Sequence, residues 1–148
     1  MTIVLLTIVG AVIAMAIGTF WYMPNTPMGR VHMRYLGFDK LSPEEQKRKM
    51  EASKPMMPKM YAAQGVLSLL TSFAVVFIIT LSLNNGLTLP MALGFVAFNW
   101  LCFMVPVIGS ALLWSNCDRA IVWQKFFSDI GANLVTVILI ALLASFFA

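Results

Sequence analysis

Apolar residues fill the chain in four long runs, and the polar positions between them divide it. Thr2–Met23 holds no charged residue and is long enough to cross about 30 Å of hydrocarbon. Trp21 and Tyr22 close this run as interfacial anchors and Pro24 stops it, which predicts a first helix over about 2–23. The run lacks a positive leading region and is longer than the apolar part of a cleaved leader, so a retained helix is expected. Gly10, Ala14 and Gly18 recur every fourth residue and give it one smooth face for a neighbouring helix. Met60–Leu83 predicts the second helix, over about 60–83. Its Gln64, Ser68, Thr71 and Ser72 form a polar stripe that should face protein or water rather than acyl chains. Asn84-Asn85-Gly86 makes a tight turn, and Leu89–Trp114 predicts a third helix, over 89–114, with a kink at Pro106. The remaining stretch, Ala120–Ala148, is too long for one upright crossing. Its aromatic and charged start reads as interfacial, and the fourth helix is expected over about 127–148.

The long polar segment, 24–59, predicts two short helices. Met28–Leu36 has room for about two turns, with Met28, Val31 and Tyr35 on one side and Arg30 and Arg34 reaching toward headgroups. Gly37 is a suitable stop. Ser42-Pro43-Glu44-Glu45 then sets an N-cap serine, a proline at the first position and a glutamate at the third. This capping box should start a charged helix that runs to about Ser53 and ends at Pro55 and Pro58.

Composition agrees with the pattern. Sixty per cent of residues are hydrophobic and 11% charged, against roughly 25% charged in soluble domains. The fold expected is therefore an all-α integral membrane protein. It is a four-transmembrane-helix bundle in a single domain, 1–148, with short interfacial helices in its first loop. Charge sets the orientation. Trp21–Lys59 holds eight Lys or Arg and four Asp or Glu, and Arg119 and Lys125 flank the connection at 115–119. The N-terminus, the Asn84–Thr88 turn and the C-terminus hold no Lys or Arg side chain. The positive-inside rule puts loops 24–59 and 115–119 in the cytoplasm and both termini outside, in an inner or plasma membrane. The bilayer is the expected partner, with anionic lipid possible at the basic loop, and a homo-oligomer is expected; nucleic acid is not.

Candidate chemistry is sparse. Asp129 and Asn133 lie four residues apart on one face of the fourth helix, and Thr136 extends that face. An ionisable group inside the bilayer costs about 2.5–3.5 kcal/mol on insertion scales, so it calls for a partner or a task. Two readings stay open. Asp129 pairs structurally with Lys125, or with Arg30, Arg34 or Arg119; or it serves a proton, ion or substrate. Asn99 is placed to hydrogen-bond across the bundle to Gln64 or Asn133, as packing glue or as the lining of a path. His32 reads as a solvated or headgroup-contacting residue of the loop rather than a general base. Seven of the eleven methionines fall between Met23 and Met60, but no cysteine lies there, the lone His32 does not make a copper site with them, and methionine is a routine gap-filler. Cys102 and Cys117 show no ligand spacing. No metal and no cofactor is expected.

Three blocks carry a family resemblance. They are Trp21-Tyr22-x-Pro24 followed by Gly29, Met33 and Gly37; Asn99-Trp100-Leu101 with Asn116; and Phe127-x-Asp129-x-Gly131. In this order the chain resembles a bacterial and fungal membrane family, domain of unknown function 1761. It departs from that pattern at Asn133 and at Cys117-Asp118. The resemblance implies a four-helix membrane protein and supplies no activity, substrate or catalytic residue. The reading that follows is a non-enzymatic structural or accessory membrane protein. One alternative is a small oligomeric transporter or channel with Asp129, Asn133, Asn99 and Gln64 along its route. A second is an enzyme acting on lipid headgroups, with Arg30, His32 and Asp129 converging.

Overall fold

The chain was analysed as a computed structural model, which describes residues 2–147. Among these residues the architecture is all helical. Helix α1, Ile3–Trp21, starts where the Thr2 hydroxyl accepts the Leu5 amide and ends at Tyr22, followed by Pro24. A short connection leads to α2, Pro27–Tyr35, which is capped by Thr26 and begins at Pro27 rather than at the predicted Met28. Thr26-Pro27 is the same cap-then-proline pair as Ser42-Pro43, and the Thr26 hydroxyl accepts the Gly29 amide at 2.9 Å. Gly37, with φ of 73°, takes the left-handed conformation expected of a helix stop.

Helix α3, Pro43–Ser53, carries the predicted capping box in full. The Glu45 amide donates to the Ser42 hydroxyl, and the Ser42 amide donates to the Glu45 carboxylate at 2.8 Å. Helix α3 ends at Ser53, as expected. A single tight turn, Lys54–Met56, joins α3 to α4, Met57–Asn84, and the whole path Pro43–Asn84 is one helical stretch of 42 residues. The reason is position: Pro55 and Pro58 each fall in the first two residues of their segment, where proline removes no helical hydrogen bond. At 1.5 Å per residue the stretch is about 63 Å long, roughly twice a hydrocarbon core.

The third long helix is α5, Leu89–Asn99, a π-turn at Trp100–Met104, and α6, Val105–Leu113. Expected as a kink at Pro106, the irregularity appears just before it as a widened turn, with the Val105 amide bonded to the Trp100 carbonyl. Helix α7, Arg119–Ser145, is continuous and is capped by Asp118, whose carboxylate accepts the Ala120 amide. It starts earlier than the crossing expected at 127–148, whose last residue, Ala148, lies outside the described residues.

Four helical stretches are long and apolar enough to cross a membrane, Ile3–Trp21, Pro43–Asn84, Leu89–Leu113 and Arg119–Ser145, as expected of a membrane protein. One apolar cluster draws Leu6 from the start of α1, Ile79 from the end of α4, Ala92 and Val96 from the start of α5, and Ile140 from late in α7. Successive long helices therefore run in opposite directions, and the dry core lies in the half of the bundle remote from the loop. Close packing of α1 depends on Gly10, where a Cβ would sit 2.2 Å from the Ser72 hydroxyl and 3.1 Å from Ile140. The small-residue face is thus spent inside the chain at Gly10, while Gly18 stays open. Ser68 and Ser72 are buried and Thr71 is half-buried, as the polar stripe requires, but Gln64 is exposed.

Candidate functional site

The other half of the bundle, next to the loop, is held by polar contacts. Helix α7 presents Lys125, Ser128 and Asp129 within about one turn. Lys125 and Asp129, four residues apart, form an ion pair. The Lys125 side chain is 8% exposed and that of Asp129 19%. Burial of this degree makes the pair a structural commitment, since each charge then relies on the other in place of water. From the end of α1, the Tyr22 hydroxyl donates to the Asp129 carboxylate at 2.5 Å, and the Trp21 indole N–H donates to the Ser128 hydroxyl at 3.1 Å. Gly131 sits against the Trp21 indole, with space for a Cβ 3.6 Å from the ring.

Helix α2 closes the cluster by packing on α7. The Lys125 ammonium lies 4.8 Å from the centre of the Tyr22 ring and 5.8 Å from that of Tyr35, so two aromatic faces share its charge. The ring centres of Tyr22 and His32 are 5.0 Å apart. His32 is therefore packed into the cluster rather than solvated as expected. Burial, and then the Lys125 charge, hold its pKa below the ordinary value, so the imidazole is neutral at pH 7. The Cys117 thiol donates to the Tyr35 carbonyl at 3.4 Å and ties the α6–α7 turn to the end of α2.

The connection between α1 and α2 is built for this docking. The Thr26 hydroxyl lies 2.8 Å from the carbonyls of both Trp21 and Met23, and the Thr26 amide donates to Met23 at 2.9 Å. The Met23 carbonyl then lies directly over Gly29, where an added Cβ would be 1.8 Å away. Glycine is what lets the chain fold back so closely.

Of the residues expected at a site, Asp129 is the one at the centre. Arg30 does not meet it: its guanidinium is exposed and reaches the Asn25 carbonyl at 3.4 Å, because it projects from α2 away from α7. Nor do Asn99, Gln64 and Asn133 bond to one another among the described residues. Asn99 is exposed and level with Thr71 in a shallow groove between α4 and α5. Gln64 is seven residues from Thr71, about 10 Å along the helix, in a different groove beside α1. Asn133 stands one turn from Val137, which does reach the Asn99 groove, and its carbonyl oxygen is buried without a partner. Tyr22, Ser128 and Tyr35 join the cluster without being anticipated, and His32 is expected beside Asp129 only in the headgroup-enzyme alternative. Tyr22 had been placed by its amphipathic type alone, and its partner is 107 residues away.

Among known families, the one described as "Protein of unknown function (DUF1761)" matches residues 5–145, and the chain belongs to it. Neither the curated proteins nor the solved structures yield a match.

Proposed function

We propose that this family member is a non-enzymatic, multi-pass membrane protein of structural or accessory type, and that its polar cluster is a clasp. The observation that carries this reading is the occupation of Asp129. Its carboxylate is taken up by Lys125 and Tyr22 of its own chain, in a largely buried contact. A carboxylate serving as a carrier or an acid needs a site that water or substrate reaches. The separation of Gln64, Asn99 and Asn133 also removes the support they would lend to a shared polar path. In the headgroup-enzyme alternative, Arg30, His32 and Asp129 would converge, and Arg30 points elsewhere.

The orientation belongs to the same proposal. Helix α2 lies at the cytoplasmic interface, the basic loop faces the cytoplasm and both termini face outward, on the strength of the charge distribution. A Ser53→Cys variant without Cys102 and Cys117 is expected to resist an impermeant thiol reagent in intact cells and to react after permeabilisation. Reaction from outside in intact cells reverses the topology. For the function itself, the protein reconstituted in liposomes is expected to leave an imposed proton gradient as stable as lipid alone does. A leak that Asp129→Asn abolishes would establish the transporter reading instead.

A further inference from the structure

Two cavities meet at Pro24, and their chemistries differ. The first, about 450 Å³, is a groove between the loop-side half of α1 and the start of α4, walled by Ala14, Met15, Gly18, Tyr61 and Gln64. The second, about 310 Å³, lies between α2 and α3 and is lined by Arg30, Arg34, Met33, Phe38, Asp39 and Gln46. Pro24 borders both, so the two adjoin at this residue just past the end of α1.

We propose that the two cavities together hold one anionic phospholipid from the leaflet on the loop side, its phosphate in the α2–α3 cleft and an acyl chain in the α1–α4 groove. This rests on the membrane reading above but not on which side faces the cytoplasm. Charge supports the headgroup end. Arg30 and Arg34 stand one turn apart on α2 and are both exposed, and among the described residues neither forms an ion pair. Arg34 makes no side-chain hydrogen bond, and Arg30 makes a single long one. Their planar guanidinium forks match phosphate oxygens. Two cationic groups face one carboxylate, Asp39, so the cleft favours a headgroup with net negative charge. Gln46 is already committed, donating to the Phe38 and Leu41 carbonyls at 2.9 and 3.0 Å, and it fixes the cleft wall.

Length supports the other end. From Ala14 to the cap residue Tyr22 the groove follows α1 for about 12 Å, most of the roughly 15 Å that one leaflet contributes to a hydrocarbon core. Gly18 leaves the groove floor open, with nothing within 4 Å of an added Cβ. The groove is mixed in character, with Ala14, Met15 and Gly18 deeper and Thr19, Tyr22, Tyr61 and Gln64 beside them, which suits the glycerol-ester end of a lipid and the first part of its chain.

The test is native mass spectrometry of the full chain in detergent, offered phosphatidylglycerol and phosphatidylcholine in equal amounts. Phosphatidylglycerol is expected to be retained in preference. Arg30→Gln with Arg34→Gln should weaken it about tenfold or more, the scale of losing charge-assisted contacts. Gly18→Leu should weaken long-chain lipid and spare a short-chain analogue, while Lys47→Gln with Arg48→Gln should change nothing. Thermal unfolding checks that each variant is folded, and the arginine pair, being exposed, is the variant expected to stay so. The proposal is overturned if the arginine variant binds lipid as the wild type does, or if the Lys47/Arg48 variant loses as much. Displacement of the lipid by excess inorganic phosphate would also overturn it, in favour of a free-anion site. Carbonate extraction separates the two levels of failure. A wild type that stays with membranes while lipid selectivity is absent removes this inference alone, and one released by carbonate removes the membrane reading first.

Discussion

Replacing Lys125 by Met is expected to lower stability by about 3–5 kcal/mol, the range for removing one partner of a buried ion pair. The loss comes from what remains. Asp129, 19% exposed, would be left with the Tyr22 hydroxyl as its one side-chain partner among the described residues. Asp129→Asn should fall at the lower end of that range, because the abandoned Lys125 ammonium retains the faces of Tyr22 and Tyr35. The difference between the two variants is itself informative, since pure charge neutralisation would treat them alike. Thermal unfolding in a single detergent reads both. The physical consequence reaches beyond α7, because the same pair anchors Tyr22 at the end of α1 and packs under α2.

Gly29→Ala should be the most damaging single methyl group in the chain. Its Cβ would fall 1.8 Å from the Met23 carbonyl oxygen, 2.5 Å from the carbonyl carbon and 2.9 Å from the Thr26 hydroxyl. Two of the three obstacles are backbone, so no rotamer change relieves them, and the α1–α2 connection has to open. Overpacking of this kind costs about 1–3 kcal/mol, with backbone clashes at the upper end. An observable follows from the geometry: α2 should lift from α7 and loosen, so that trypsin cleaves faster after Arg30 and Arg34, whose side chains are already exposed. Gly18→Ala is the control, since nothing lies within 4 Å of its added Cβ and it should unfold with the wild type. Equal behaviour of the two alanine variants would remove the idea that Gly29 sets the turn.

The long elements were legible because they follow from simple counts. Apolar runs of lipid length, three of them charge-free and the fourth holding Asp129, gave four helices, the Ser42–Glu45 capping box gave the start of α3, and Gly37 gave the end of α2. What failed did so for local reasons. Pro55 and Pro58 follow the end of α3 as expected, but each also sits in the first turn of the next segment, so the helical path runs on, and seeing that requires the helix starts to be known. The start of α2 was missed by one residue although Thr26-Pro27 carries the same signal as Ser42-Pro43. At the site, the i,i+4 spacing named Lys125 as one partner of Asp129, and the contact is present. Tyr22 as the other partner was out of reach, because a contact across 107 residues depends on helix register and not on any local pattern. The cluster does give physical sense to the spacing of the family blocks. Trp21-Tyr22-x-Pro24 and Phe127-x-Asp129-x-Gly131 touch through Trp21–Ser128, Tyr22–Asp129 and Trp21–Gly131, and Gly29 allows the return that brings α2 onto them.

A double-mutant cycle over Lys125 and Asp129 tests the clasp most directly. The variants are Lys125→Met, Asp129→Leu and both together, each followed by thermal unfolding in the same detergent. If the two residues serve each other, the double variant should be more stable than either single one, because an apolar pair of similar volume leaves no charge unpaired. Losses that simply add would contradict the clasp and show that Lys125 and Asp129 act separately.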